Sequence, residues 1–136
     1  MGTPITKQSI FEQELITLHD SLKILSDTSE DNKYYKAFRD SVIKRFEYCA
    51  DSIWKLLKEY LEKQHGLDVP TTPKGVYKYA LDAKIITPEE YPIFIDIVED
   101  RNRTSHCYNE FIAEEVSEMC YHYYTAMKTV FDRMKS

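Results

Sequence analysis

The sequence predicts an all-α protein, an antiparallel up-and-down four-helix bundle with a short extra helix. Three observations lead there. Apolar residues recur at intervals of three and four through four long stretches. The three glycines and five prolines of the 136 residues gather at the ends of those stretches. No alternation of period two is sustained, so no strand is expected.

The first helix is expected from Thr6 to Ser26, where Phe11, Leu15, Leu18, Leu22 and Leu25 form a narrow apolar stripe. "SDTSEDNK" connects it to a second helix from Lys33 to Gln64, with Phe38, Val42, Phe46, Cys49, Ile53, Leu56 and Tyr60 on one stripe. At about 1.5 Å per residue, that helix is roughly 45 Å long, the spine of the bundle. "HGLDVPTTP" ends it. Thr72 as N-cap with Pro73 at the first helical position starts the short extra helix. Thr87, Pro88 and Glu90 repeat the device as a capping box for the fourth helix, with Pro92 near its first turn. The last helix is expected from Ser105 to Met134, with Ile112, Val116, Met119, Tyr123, Met127, Val130 and Met134 inward.

Composition narrows the function classes. Hydrophobic content of 43% beside 30% charge belongs to a globular chain, expected as a single domain over residues 1–136. Eighteen basic against 23 acidic residues give a net charge of −5, which opposes unspecific binding to nucleic acid, so a nucleic-acid site has to be local. No apolar run approaches the roughly 20 residues that span a bilayer, and no membrane association is expected. "MGTPIT" has the form of a myristoylation sequence, which the absence of other membrane signals outweighs. Cys49, Cys107 and Cys120 stand in no metal or redox spacing; with no secretion signal they read as reduced thiols of a cytoplasmic protein. No glycine loop for phosphate is present. Tyr123 in "YHYY" continues the apolar stripe, so that run reads as a packed aromatic band rather than a base-stacking platform.

One segment breaks the pattern. In "EDRNRTSHCYNE", residues 99–110, the stripe of the fourth helix steps from Val98 onto Arg101 and Asn102, then toward Ser105, His106 and Tyr108. Charged and polar groups at positions reserved for core mark a candidate site, because a buried cation needs a partner. The rival reading is that Arg and His near a helix C-terminus simply meet its dipole. On an unbroken helix Arg101 and His106 point about 140° apart. Either the helix bends near Thr104-Ser105, with Ser105 recapping it, or a second copy of the chain completes the pocket. Asn102, His106 and Glu110 share a face at i, i+4 and i+8, which places Asn102 or Glu110 to fix the imidazole's tautomer, with a routine surface pair the favoured reading for Glu110.

"DRNRTSHCYNE" closely resembles the signature of the HEPN superfamily, and its continuation to Tyr108 resembles the HepT-like branch, Arg-x-x-x-x-His-x-Tyr. "RFEYCADSIWKLLKEYLE", residues 45–62, resembles the long helix of the nucleotidyltransferase substrate-binding family within that superfamily. The likeness runs from Phe11 to Tyr124. Cys49 and Cys107 stand where threonine is expected, and Asp51-Ser52 replaces Glu followed by an apolar residue; none of these is expected to touch Arg101, Asn102, His106 or Tyr108.

The resemblance implies a two-fold homodimer with the Arg–His segments facing across the interface, and a small nucleotidyltransferase as antitoxin or partner subunit. It further implies an RNA-cleaving toxin silenced by attachment of AMP to the motif tyrosine, here Tyr108. Metal-independent cleavage needs a base, an acid and a cation for the phosphorane. His106 is the acid–base candidate, Arg101 the phosphate stabiliser, Asn102 orients, and Tyr108 contacts substrate and accepts the modification. Products are expected to carry 2′,3′-cyclic phosphate ends, with neither a metal nor another cofactor required. The alternative is a non-catalytic subunit that presents a substrate to the nucleotidyltransferase.

Overall fold

The computed structural model describes residues 5–135; the myristoylation-like start falls largely outside them. Five helices follow in order: α1 (Lys7–Ser26), α2 (Tyr35–His65), α3 (Pro73–Asp82), α4 (Tyr91–His106) and α5 (Glu110–Lys135). Helices α1 and α2 pair as one hairpin and α4 and α5 as another, while α2 also packs on α3, α4 and α5. The all-α bundle with a short extra helix is thus the observed architecture, with α2 as its spine.

Helix starts follow local chemistry. The Thr6 hydroxyl accepts from the Ser9 backbone N–H, and the Ser9 hydroxyl accepts from that of Thr6, a reciprocal cap for α1. Thr72 caps α3 through the Gly75 N–H, with Pro73 in the first turn. At Thr87 and Glu90 the expected capping box forms, yet continuous α-helix begins only at Tyr91. Pro92 has no N–H to donate to Pro88, so the preceding residues form tighter turns on Thr87 instead. Helix α2 ends where Gly66 takes φ 64°, a left-handed conformation in which glycine carries no Cβ penalty, and Leu67 N–H closes on the Leu61 carbonyl.

The stripes meet in one continuous core. Phe11, Leu15 and Leu18 of α1 join Val42, Phe46, Ile53 and Leu57 of α2 and Val116, Met127 and Phe131 of α5. Aromatic rings set the spacing: Phe11 meets Phe131 edge-on at 5.0 Å, and Phe46 stacks on Tyr123 at 5.4 Å between centroids. Of the "YHYY" run, Tyr123 is buried and Tyr124 partly so, while Tyr121 and His122 are exposed, so the packed aromatic band forms only in part. Met119 departs from its expected place; it is exposed, and Cys120 turns inward instead. Among the described residues no helix is long and apolar enough to cross a membrane.

The largest departure concerns the last helix. It does not start at Ser105: α4 continues through His106, Cys107–Asn109 make the turn, and α5 starts at Glu110. Asn109 is the reason, its side-chain oxygen accepting the Ile112 N–H at 2.9 Å and its carbonyl accepting from Ala113.

Two buried phenols give opposite expectations. Tyr123 donates to Asp100 at 2.6 Å, whereas the Tyr77 hydroxyl has no hydrogen-bond partner among the described residues. Tyr123→Phe is expected to destabilise by about 1.5–3 kcal/mol, because it leaves one oxygen of a buried carboxylate without its donor, and Tyr77→Phe to stabilise by about 1 kcal/mol. Urea unfolding of the two variants checks both signs.

Candidate functional site

Residues 100–106 form the last two turns of α4, wedged between α2 and α5. Their side chains fan out around the helix. Asp100 and Thr104 point inward and are buried, Arg101 reaches α2, and Arg103 reaches α5. Asn102 and His106 face outward and are exposed. The polar intrusion on the buried stripe is therefore Asp100 and Thr104 together with Arg101, not Asn102.

Arg101 is the most constrained of these. Its Nε and Nη2 donate to the two oxygens of Asp51 at 2.9 and 3.0 Å, and Nη1 donates to Glu47 at 2.8 Å and to the Ser105 hydroxyl at 2.6 Å. Thr104 adds its hydroxyl to the same Glu47 oxygen at 2.8 Å. Asp51, and after it Glu47, hold the guanidinium above its ordinary pKa, so it stays charged. The expectation that Asp51 touches none of the motif residues is overturned. Asp51 lies four residues from Glu47, so α2 presents both carboxylates on one face to the end of α4.

A second cluster sits about two turns earlier on α2. Arg39, 2% exposed, donates to Glu110 at 2.9 Å and Glu114 at 3.2 Å on α5, and to the neighbouring Asp40. Tyr108 donates to the same Asp40 oxygen at 2.6 Å. Tyr35 adds a hydrogen bond to Glu114 at 3.2 Å. Burial first, then the hydrogen bond to Asp40, push the Tyr108 phenol up to about 12. Asp40 and Asp51 are 11 positions apart, roughly 16 Å along the helix axis, so Tyr108 and Arg101 are anchored at separate places on α2.

Two local expectations need correction. The helix is unbroken at Thr104-Ser105, and Ser105 does not recap it; its hydroxyl accepts from Arg101. Glu110 is not on the His106 face of a shared helix either. The turn at Cys107–Asn109 removes it to α5, where it pairs with Arg39 and Lys36. Neither Glu110 nor Asn102 holds the imidazole, which makes no side-chain hydrogen bond among the described residues. Arg103 and His106 do lie in the last turn of α4, where its dipole favours them. Arg103 is held by Asp100 at 3.0 Å and Glu115 at 2.7 Å, which locks α4 to α5.

Sequence reasoning missed Asp51, Glu47, Asp40, Arg39 and Asp100. The signal available was positional: Arg39 continues the stripe of Val42 and Phe46, and Asp100 that of Phe94 and Ile97. Among the described residues no group of three or more His, Cys, Asp or Glu is placed to hold a metal.

A family model described as "nucleotidyltransferase substrate binding protein like" matches residues 13–136. The chain belongs to that family. Among solved structures, the nucleotidyltransferase substrate-binding-like bundle superposes on a Thermus thermophilus protein, ttk003001694, with a TM-score of 0.78 and 32% identity, over 93% of this chain and 99% of that one. It superposes on a tri-AMPylated Shewanella oneidensis HEPN toxin, in complex with MNT antitoxin, with a TM-score of 0.69 and 19% identity, over 93% and 96% of the two chains. A mutant of the toxin–antitoxin MntA-HpeT gives 0.67 and 19%, over 93% and 98%. At that identity the last two share the fold, which is HEPN-like. No curated protein matches the chain.

The Tyr108 environment makes a titration prediction. Tyr108 is expected to stay protonated through mildly alkaline pH, and Asp40→Asn to lower its titration midpoint, since it removes the charge that favours the neutral phenol. Carbon-13 NMR of labelled tyrosines, with Tyr108→Phe for assignment, reads the shift.

Proposed function

We infer that the chain is the HEPN toxin of a nucleotidyltransferase–HEPN toxin–antitoxin pair and a metal-independent endoribonuclease. Two copies bring Arg101 and His106 together across a two-fold interface, and AMP on Tyr108 inactivates the protein. One observation carries this reading: a positioned guanidinium and an exposed imidazole, without a side-chain hydrogen bond among the described residues, stand five residues apart at one corner of the bundle.

On the unbroken α4 these two side chains point about 140° apart, so one chain does not aim them at one phosphate. Since α4 is continuous through Thr104-Ser105, this reading takes a second copy of the chain to complete the pocket. Tyr108, 47% exposed just past the helix end, is open to a modifying partner.

In this scheme the neutral His106 of one copy takes the proton of the 2′-hydroxyl, which attacks the adjacent phosphorus. The protonated His106 of the other copy gives a proton to the leaving 5′-oxygen. The products are a 2′,3′-cyclic phosphate and a 5′-hydroxyl. Arg101 stabilises the charge that builds on the non-bridging oxygens. Asn102, exposed on the His106 face, orients the substrate.

A second reading is favoured by a specific observation. Two carboxylates, Glu47 and Asp51, surround the single guanidinium of Arg101, and the chain is acidic overall at −5. Both features repel phosphate at long range, as suits a non-catalytic subunit that presents a substrate to a nucleotidyltransferase.

Expression without a nucleotidyltransferase separates the two. The nuclease reading expects toxicity that Arg101→Ala and His106→Ala each abolish, and purified His106→Ala to cleave RNA about 10²–10⁴ times more slowly. Arg101→Ala is expected to lose about 10²–10³ in rate. Harmless expression supports the subunit instead, and cleavage that requires added metal contradicts the metal-independent scheme.

A further inference from the structure

The two carboxylates that hold Arg101 are not equivalent. Glu47, 15% exposed, accepts both Nη1 of Arg101 and the hydroxyl of Thr104, which is itself buried. Asp51, 49% exposed, has Arg101 as its hydrogen-bond partner and takes the Nε and Nη2 edge with both oxygens. That edge presents two parallel N–H donors, the geometry that matches equally a carboxylate and the two non-bridging oxygens of a phosphodiester.

We propose that Asp51 is an internal competitor seated on the phosphate-binding edge of Arg101, which an incoming phosphodiester displaces while Glu47 and Thr104 keep the guanidinium in place. The proposal rests on the reading of Arg101 as a phosphate contact and adds how its binding edge is held shut. Displacement exchanges one charged pair for another and returns a half-exposed carboxylate to water, a small cost for a pair open to solvent. Loss of Glu47 is different: it removes one of the two acceptors of the Thr104 hydroxyl, the other being the Arg101 carbonyl, and, among the described residues, the other charged hold on the guanidinium. With both carboxylates in place an approaching anion meets a net negative site. With Asp51 swung away, Arg101 and Glu47 balance, and the forked edge is open. Asp51 is thus a gate on affinity, and Glu47 a positioning residue.

The two carboxylates therefore carry opposite signs, which a merely structural ion pair does not. The test measures binding of a short single-stranded oligoribonucleotide bearing 2′-O-methyl groups, which block attack by the 2′-oxygen, using fluorescence anisotropy and the full chain. Asp51→Asn is expected to lower Kd about tenfold. Glu47→Gln is expected to raise it, and Arg101→Ala to cancel the gain when combined with Asp51→Asn. Asp51→Ser, with a thermal melt to show that it is folded, repeats the test without the amide. A second readout avoids RNA. In nitrogen-15 spectra the Arg101 Nε–H signal is expected to shift with inorganic phosphate at a lower concentration in Asp51→Asn than in the wild type.

Unchanged or weaker binding in both Asp51 variants overturns the proposal, as does a gain that persists without Arg101, or an Nε–H signal that phosphate moves equally in both proteins. The nuclease reading fails separately, if Arg101→Ala or His106→Ala cleaves RNA as the wild type does.

Discussion

A polar helix end has to be accommodated inside a packed bundle, and that constraint organises the rest of the molecule. The last two turns of α4 carry Asp100, Arg101, Arg103 and Thr104 where an apolar stripe would otherwise continue. Buried or half-buried polar groups are costly unless they are paired. Each of the four finds its partner on a neighbouring helix or within its own turn: Tyr123 for Asp100, Asp51 and Glu47 for Arg101, Glu115 for Arg103, Glu47 for Thr104. The same hydrogen bonds that make the segment tolerable also dock α4 on both α2 and α5.

The consequence for the site is a division of roles around one helix. Side chains directed at other helices are held in defined rotamers by charge-assisted hydrogen bonds. Those directed outward, Asn102 and His106, are left to solvent. A second polar knot lies beyond the turn, where Arg39 gathers Asp40, Glu110 and Glu114 and, through Asp40, the hydroxyl of Tyr108. Glu110, with Glu114 and Asp40, holds the Arg39 guanidinium charged in spite of its burial. This knot ties the start of α5 to the start of α2, so the turn at Cys107–Asn109 is fixed from both sides. The corner that carries the motif is therefore tied to both α2 and α5, and its exposed groups are displayed on that support.

Much of the fold was legible from periodicity. The stripes of α1 and α2 and the caps at Thr72 and Thr87 are local features, and local sequence is enough to specify them. The boundary between α4 and α5 was not legible in the same way. No glycine or proline marks it, and the apolar repeat is broken there by the polar run from Glu99 to Glu110, so spacing alone places the boundary only loosely. Asn109, whose side chain caps α5, fixes where the last helix starts. Met119 and Cys120 show a smaller version of the limit. Adjacent positions near the edge of a stripe differ by about 100° in direction, and only the neighbouring helices decide which one turns inward.

The sequence by itself determined the all-α class, the order of the helices and the place where polar residues intrude on the core. These follow from spacing within a single helix, which depends on residues at most a turn or two apart. Which groups meet that intrusion was decided by tertiary structure alone. Asp51 lies 50 positions from Arg101 and Asp40 lies 68 from Tyr108, and contacts over such separations depend on how helices pack and in what register. Arg101 and Tyr108 could thus be singled out along the chain as candidates, while the carboxylates they bond became visible only when α2 was laid against the end of α4.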